Sequence, residues 1–281
     1  MRTALIIALS VILSVLATHL VMAPEVKNDA VKETAFDRVM RTRTIRCGYF
    51  VMDSLLTKDL KTGRMAGPGY EIVVAMAKNL NLKVDWVSEA GFAAMAEDLK
   101  NGRYDMVCTP FAPNAARAQV MDLSRTAFSQ PFTVWLHKDD PRLLQPDQSW
   151  LNTPATKFTS IDGTAISTVV RSFFPKATIV SLPELTPVND IFLELSSRKV
   201  DAMGITTYNA AKFAERNDGI IRRYGDLVIS NPPYQYALPK GDYELTSMVN
   251  IALEELIYNG IVDGILDRYD PQKIYYGRVK L

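Results

Sequence analysis

Arg117 stands at the beginning of a predicted helix, a position whose chemistry favours the binding of an anion. Asn114, three residues earlier, is a typical N-cap, so the helix is expected to run from Ala115 to about Met121. The helix dipole disfavours a cation in the first turn, where backbone N–H groups attract negative charge. A guanidinium fork beside such amides suits a carboxylate or a phosphate. The alternative is a surface arginine that pairs with a neighbouring acid such as Asp122.

The elements before this helix form an α/β pattern. An apolar run beginning at 105–108 predicts the preceding strand, which the prolines that follow it are expected to end. Upstream, a strand over 44–50, a helix over 69–80 and an alternating strand over 82–87 form a βαβ unit, and a further helix is expected over 92–99. These alternating elements predict a sheet with parallel strands.

A second series of α/β units follows a long predicted strand over 132–138. Its strands alternate with helices and are expected at 157–161, 178–182, 200–205 and 226–230. Gly163 and Thr164 form the turn between the first of these strands and its helix. A closing helix from Glu244 to about Tyr258 is expected to return to the first half of the chain.

Composition limits the possible classes of protein. The 281 residues are 48% hydrophobic, which is enough for one large domain or two lobes. Because 32 Lys and Arg balance 31 Asp and Glu, no basic field favours nucleic acid as a partner. Cys47 and Cys108 are too few for a disulfide framework, and neither has metal-ligand spacing with His19 or His137. Both lie in predicted strands and are interpreted as free buried thiols, with a single bridge in an oxidising compartment as the alternative.

The N-terminus carries an export segment. Arg2 precedes an apolar run of about 20 residues, which fits a signal peptide and is also long enough to cross a bilayer. Residues 1–23 are therefore interpreted as a signal peptide or an uncleaved membrane anchor, and residues 24–35 as a polar linker. The mature part is expected in the periplasm. No cysteine follows the run, which argues against a lipid-modified N-terminus.

A set of short motifs, in this order and spacing, resembles the family 3 extracellular solute-binding proteins, the polar amino-acid-binding components of ABC importers. The resemblance covers about Phe36 to Tyr269. Its motifs are Ile45–Gly48, Gly69–Ile72, Leu99–Asp105, Arg117 with Asp122–Ser124, Gly163–Thr164, Arg198–Ala202 and Leu238–Asp242.

The resemblance implies an α/β, two-lobed periplasmic-binding-protein clamp of type II with two hinge crossing strands, near 129–133 and 231–236. One lobe would contain 36–130 and 233–281, and the other 131–232. A ligand would lie between the lobes, beyond the carboxyl ends of the strands.

The resemblance also implies a site for the ligand. Arg117 would hold the ligand carboxylate with the Thr164 hydroxyl and the amides near Gly163, although Thr164 is otherwise an ordinary N-cap. Thr109, in the turn before the arginine, and Thr206 are further candidate contacts.

Three aromatic residues, Tyr49, Phe50 and Phe92, are expected to supply cleft walls, with burial in the core as the alternative.

One feature of the family is missing. The position at which the family usually has an aspartate for the ligand ammonium falls at Ile205 or Thr206, and neither is an acid. An unpaired ammonium in a closed cleft would cost several kcal/mol. A small carboxylate or keto acid is therefore expected as readily as an amino acid. Asp53 and Glu71 are possible replacement acids, with solvated loop and helix-face positions as the alternative.

The function predicted from the sequence is capture of a small carboxylate-bearing solute for an ABC permease in the inner membrane. The protein is expected to be a monomer without cofactor, metal or catalytic residues. The alternative is a membrane-anchored sensor or partner-binding clamp of the same fold. A dehydratase-like enzyme ranks below both, because it needs a general acid or base in the cleft and no motif supplies a histidine.

Overall fold

Two β-sheets flanked by helices form the two lobes in the computed structural model, which describes residues 33–89, 91, 94–183 and 186–280. Residues 34–281 form one compact unit. The candidate export segment 1–23, most of the linker 24–35 and Phe92 lie outside the described residues. Within the described part, the structure contains no helix with the length and apolar character needed to span a membrane.

The described helices and strands alternate for most of the chain. In chain order they are α1 (Ala35–Thr42), β1 (Thr44–Tyr49), β2 (Thr57–Lys58), β3 (Met65–Ala66), α2 (Pro68–Asn79), β4 (Lys83–Glu89), α3 (Met95–Lys100), β5 (Met106–Phe111), α4 (Ala115–Val120), β6 (Met121–Leu123), β7 (Phe128–Ser129), β8 (Phe132–His137), β9 (Lys157–Ile161), α5 (Ala165–Phe173), β10 (Thr178–Leu182), α6 (Asp190–Ser196), β11 (Ala202–Thr206), α7 (Thr207–Arg216), β12 (Ile221–Ser230), β13 (Pro233–Pro239), α8 (Tyr243–Tyr258) and α9 (Ile261–Tyr269).

The first sheet has the strand order β4-β1-β5-β13-β6, and β7 also pairs with β13. Its strands β4, β1 and β5 are parallel, as the βαβ pattern predicts, and β13 is antiparallel to β5. Helices α2, α8 and α9 contribute Ile72, Val249 and Leu266 to the core of this lobe. The closing helix therefore returns to the first half of the chain, as expected.

The second sheet has the strand order β10-β9-β11-β8-β12. Strand β9 is parallel to β10 and β11, and β8 is antiparallel to β11 and β12. The core of this lobe is separate from the first and includes Phe158, Val170 and Phe192. Each lobe thus buries its own apolar core, which a clamp requires if the lobes are to move as bodies.

Two short segments carry the chain between the sheets. The chain leaves the first sheet after Ser129 and enters the second at Phe132; it leaves the second after Ser230 and re-enters the first at Pro233. The segments lie side by side, since the backbone N–H of Gln130 donates to the carbonyl of Pro232 at 3.3 Å. These are the two hinge crossings of a type II clamp.

Cys47 and Cys108 form a disulfide, so their interpretation as free thiols is wrong. They lie on the neighbouring parallel strands β1 and β5, with Cα atoms 5.4 Å apart. That separation is in the range that a disulfide needs. Sequence alone places both residues in strands but does not show that the strands are adjacent.

Strand β5 continues through Pro110 to Phe111, so the expectation that prolines end this strand after Cys108 is also wrong. Its neighbour β13 pairs Gln235 with Phe111 and Ala237 with Val107, and the register shifts between the two pairs. A proline that lacks an N–H is tolerated at such an irregularity.

Candidate ligand-binding site

A cavity of about 70 Å³ lies between the lobes, and both sheets contribute to its walls. From the first lobe and its hinge it is lined by Met52, Leu55, Phe111, Ala112, Arg117 and Tyr234; from the second it is lined by Phe132, Thr164, Ala165, Ile166, Val188, Ile205, Thr206 and Asn209. Most of these side chains are apolar. Among these described lining residues, Arg117 carries the single formal charge.

Arg117 reaches from the first lobe to the second. Asn114 caps its helix as predicted, since the Asn114 Oδ1 accepts from the Arg117 backbone N–H at 2.9 Å. The guanidinium lies 5.0 Å from the centroid of the Phe111 ring, which is within cation–π range. Its Nη2 donates to the carbonyl oxygen of Gly163 at 3.2 Å. The arginine and the Gly163 turn, both chosen from sequence, are therefore in contact across the cleft.

Asp122 was the alternative partner of Arg117. Its carboxylate lies 3.0 Å from Lys240 Nζ and accepts from the Gly241 N–H at 2.9 Å. The acid thus fastens the end of β13 to β6.

The turn that presents Thr164 depends on Gly163, whose φ of 71° lies in the left-handed region that favours glycine. Thr164 is the N-cap residue of α5, but its hydroxyl makes no cap bond and donates to the carbonyl of Ile161 at 2.6 Å. Thr164 and Ala165 line the cavity at this helix start. The start of α5 therefore faces the same space as Arg117.

Thr206 is the N-cap residue of a second helix that begins at the cavity, α7. The residue is 3% exposed, and its hydroxyl has no hydrogen-bond partner among the described residues. Its side chain makes no cap bond to the helix. Asn209, one turn later, also lines the cavity.

Three other predicted site residues make contacts within the first lobe. The Thr109 hydroxyl accepts from the Phe50 N–H at 3.1 Å and donates to the Phe50 carbonyl at 2.8 Å. Phe50 is buried 6.5 Å from Phe111, centroid to centroid. Tyr49 packs edge-on against Trp86, and its hydroxyl accepts from Lys58 Nζ at 2.7 Å. None of the three is a lining residue of the described cavity, and Phe92 lies outside the described residues.

The two candidate replacement acids are both paired. Asp53 Oδ2 lies 2.9 Å from Arg216 Nη1, at the end of α7. Glu71 accepts from the Tyr269 hydroxyl at 2.5 Å and pairs with Arg268. Neither acid lines the cavity.

A wider cavity of about 480 Å³ adjoins the first and shares Met52, Val188 and Asn209 with it. Asp53 and Arg216 lie on its wall, so this ion pair stands at the outer part of the cleft. In the described residues, no cluster of His, Cys, Asp and Glu is suited to hold a metal ion.

Several lining residues were not identified from the sequence. Asn209 has a usable signal, because it stands one helical turn after Thr206. Phe132 and Tyr234 also have one, because each lies in a predicted crossing segment. Met52, Leu55 and Val188 lie in irregular segments whose position sequence patterns do not fix.

The model of the bacterial extracellular solute-binding proteins, family 3, matches residues 57–272. The chain belongs to this family. Its members are extracellular, which supports an exported location. No curated protein matches the chain by sequence.

Solved structures of binding proteins share the fold of this family member. An ancestral amino acid-binding protein described as a precursor of cyclohexadienyl dehydratase is 26% identical, with a TM-score of 0.69 over 84% of this chain and 99% of its own. An arginine-binding protein mutant from T. maritima is 19% identical, with a TM-score of 0.68 over 85% and 100% of the two chains. An amino acid ABC transporter substrate-binding protein from Streptococcus pneumoniae, bound to L-arginine, is 18% identical, with a TM-score of 0.67 over 88% and 100%.

Proposed function

We propose that this protein is an extracytoplasmic solute-binding protein that captures a small carboxylate-bearing solute between its lobes for an ABC importer. The observation that carries the proposal is the position of Arg117: it is the single formal charge on the described lining of the cavity, and it touches the turn before α5 on the other lobe. A carboxylate is the group that such a guanidinium fork binds best. Thr164, Gly163 and the start of α5 would complete its seat.

The walls support a ligand with an apolar body. Ile166, Val188 and Ile205 from the second lobe face Leu55 and Phe111 from the first. Small-molecule sites are usually apolar with a few convergent polar groups, which describes this cavity. A ligand carboxylate that contacts both lobes would stabilise the closed arrangement, because it binds that arrangement better than the open one.

The transport role rests on the family and on the ABC transporter proteins among its structural neighbours. We assign the lobes to 36–130 with 233–281 and to 131–232, and we expect a periplasmic monomer that delivers its ligand to an inner-membrane permease. Residues 1–23 would direct export, whether cleaved or retained as an anchor. An anchored sensor of the same fold is the alternative if residues 1–23 are retained.

An enzymatic role has less chemical support. Tyr234 is the one described lining residue with a phenol that could transfer a proton, and burial raises the pKa of this phenol well above the ordinary value. Such a phenol is a poor proton donor near neutral pH, because general acids work best with a pKa close to the operating pH.

The test is calorimetric titration of the wild type and of Arg117→Ala with ligands selected by a thermal-shift screen of small carboxylates and amino acids. Loss of the guanidinium leaves the bound carboxylate desolvated without its main partner, so affinity is expected to fall by a factor of about 100 or more. Arg125→Ala is the matched control, since Arg125 pairs with Glu254 on the surface of the same lobe. Unchanged affinity in Arg117→Ala would refute the proposed seat.

A further inference from the structure

The cavity carries a second polar group that would recognise the ligand. We infer that this group, the Thr206 hydroxyl at the start of α7, selects a short 2-oxo monocarboxylate over the α-amino acid with the same carbon skeleton. The inference rests on the proposed function, because it takes Arg117 as the partner of the ligand carboxylate.

Thr206 is in an unusual state for a buried residue. It is 3% exposed, and its hydroxyl has no hydrogen-bond partner among the described residues, whereas buried polar groups in proteins nearly always have one. The next residue shows the usual situation, since the Thr207 hydroxyl donates to the carbonyl of Pro131 at 3.0 Å. Thr206 lines the cavity, but its hydroxyl oxygen is not accessible in this arrangement of the lobes, so a ligand would supply its partner by entering before the lobes close.

The surroundings of Thr206 favour an acceptor atom on that ligand. Thr206 is the N-cap of the ten-residue helix α7 and makes no side-chain cap bond. First-turn N–H groups have no partner within a helix, and the helix dipole places partial positive charge at this end. The N–H of Thr207 donates to Pro131, and the turn then continues to Asn209, which lines the cavity. The helix dipole therefore favours an oxygen acceptor here and disfavours an ammonium.

The charge of the cavity leads to the same conclusion. Arg117 supplies one positive charge, and no Asp or Glu is present among the described lining residues. One guanidinium balances one carboxylate. A second group beside Thr206 is then best neutral, since a buried ammonium would lack an acidic partner among the described lining residues. A carbonyl oxygen adjacent to the carboxylate meets both conditions.

The cavity accommodates a short ligand. A volume of about 70 Å³ corresponds to roughly five to seven water-sized positions. A 2-oxo acid of few carbons with a branched apolar end would contact Ile166, Val188 and Ile205.

The experiment is titration of the wild-type protein with three ligands that share one skeleton: 3-methyl-2-oxobutanoate, L-valine and 3-methylbutanoate. The 2-oxo acid is expected to bind about 5-fold to 10-fold more tightly than 3-methylbutanoate, the equivalent of one hydrogen bond, and L-valine is expected to bind more weakly than both. Thr206→Val removes the hydroxyl at nearly constant shape and should abolish the preference for the 2-oxo acid over 3-methylbutanoate. Thr206→Ser should retain the preference.

Thr159→Val is the matched control. Thr159 is a fully buried threonine of the same sheet, its hydroxyl also has no partner among the described residues, and it does not line the cavity. This variant should keep the wild-type order of the three ligands.

The outcomes separate the inference from the function on which it rests. Three outcomes would overturn the inference: equal binding of 3-methyl-2-oxobutanoate and 3-methylbutanoate by the wild type, tighter binding of L-valine than of either, or a preference for the 2-oxo acid that survives in Thr206→Val. Binding of any of the three ligands that depends on Arg117 would still support the carboxylate site. Absence of binding for every acid in the screen would overturn both. If Thr206→Val does not fold, the order of affinity for the three ligands on the wild type and on Thr206→Ser still tests the inference.

Discussion

Asp53 Oδ2 lies 2.9 Å from Arg216 Nη1, and this ion pair joins the loop after β1 in the first lobe to the end of α7 in the second. Both side chains are largely exposed, at 48% for Asp53 and 66% for Arg216. Exposed ion pairs contribute about 0.2–1 kcal/mol, so this pair stabilises the contact between the two lobes beside the cavity only weakly.

Asp53→Asn should therefore weaken ligand binding by about 5-fold at most, because the closed arrangement loses one contact that the open one does not make. The effect should shrink as salt is added, since surface charges are screened. Titration at low and high ionic strength measures this difference. Arg171→Gln is the control, because Arg171 bonds to Ser167 within its own helix. An effect of Asp53→Asn that persists at high salt would exclude the ion pair as its cause.

The Cys47–Cys108 disulfide should stabilise the first lobe by closing a long loop in the unfolded chain. For a sequence separation of 61 residues, the loop-entropy model gives about 4 kcal/mol. The double variant Cys47→Ala with Cys108→Ala should lose most of this free energy of unfolding, measured by urea denaturation. The wild type treated with a reductant should approach the variant, and the variant itself should not respond to the reductant. Equal stability of the oxidised wild type and the double variant would count against the prediction.

The disulfide shows what the sequence could and could not predict. Local signals placed Cys47 and Cys108 on strands and Asn114 at a helix start, because hydrophobic periodicity and capping depend on neighbouring residues. Whether two strands are adjacent depends on the topology of the whole sheet. The bridge and the continuation of β5 through Pro110 were therefore missed.

In the candidate site, too, some residues could be predicted from local sequence signals and others could not. Arg117, Gly163, Thr164 and Thr206 come together at the cavity, because each lies at or just beyond the carboxyl end of a strand in an α/β unit. The apolar walls come partly from irregular segments around Met52 and Val188. Those segments are positioned by tertiary packing, which short-range patterns do not encode.

Acid should destabilise the second lobe through Asp140. Hydrogen bonds from the Arg142 side chain lower the pKa of the Asp140 carboxyl below its ordinary value. A carboxyl whose pKa is depressed in the folded state contributes stability above its unfolded pKa, about 3.9, and this contribution is lost as the pH falls through the folded pKa. Asp140→Asn should thus lower the free energy of unfolding at neutral pH, and its difference from the wild type should diminish below about pH 4.

Urea unfolding at a series of pH values measures that difference. Asp226→Asn is the control, since Asp226 is fully exposed and lies 3.9 Å from the Arg223 guanidinium, beyond hydrogen-bond distance. If the difference in free energy of unfolding between the wild type and Asp140→Asn stays constant as the pH falls below about 4, Asp140 is not the source of the acid sensitivity.

Thr109 provides a test of which predicted site residues bind ligand and which hold the lobe together. Its hydroxyl exchanges two hydrogen bonds with the backbone of Phe50, at 3.1 and 2.8 Å, and so ties the end of β1 to β5. Thr109→Val keeps the shape but leaves the buried N–H and carbonyl of Phe50 without this partner, which should cost about 1–3 kcal/mol of unfolding free energy. Ligand affinity should change little, in contrast to Arg117→Ala, because the hydroxyl is engaged away from the cavity. Thr109→Ser, which retains the hydroxyl, should recover most of the lost stability. A large loss of affinity in Thr109→Val at unchanged stability would instead make Thr109 a direct ligand contact, as the family resemblance implied.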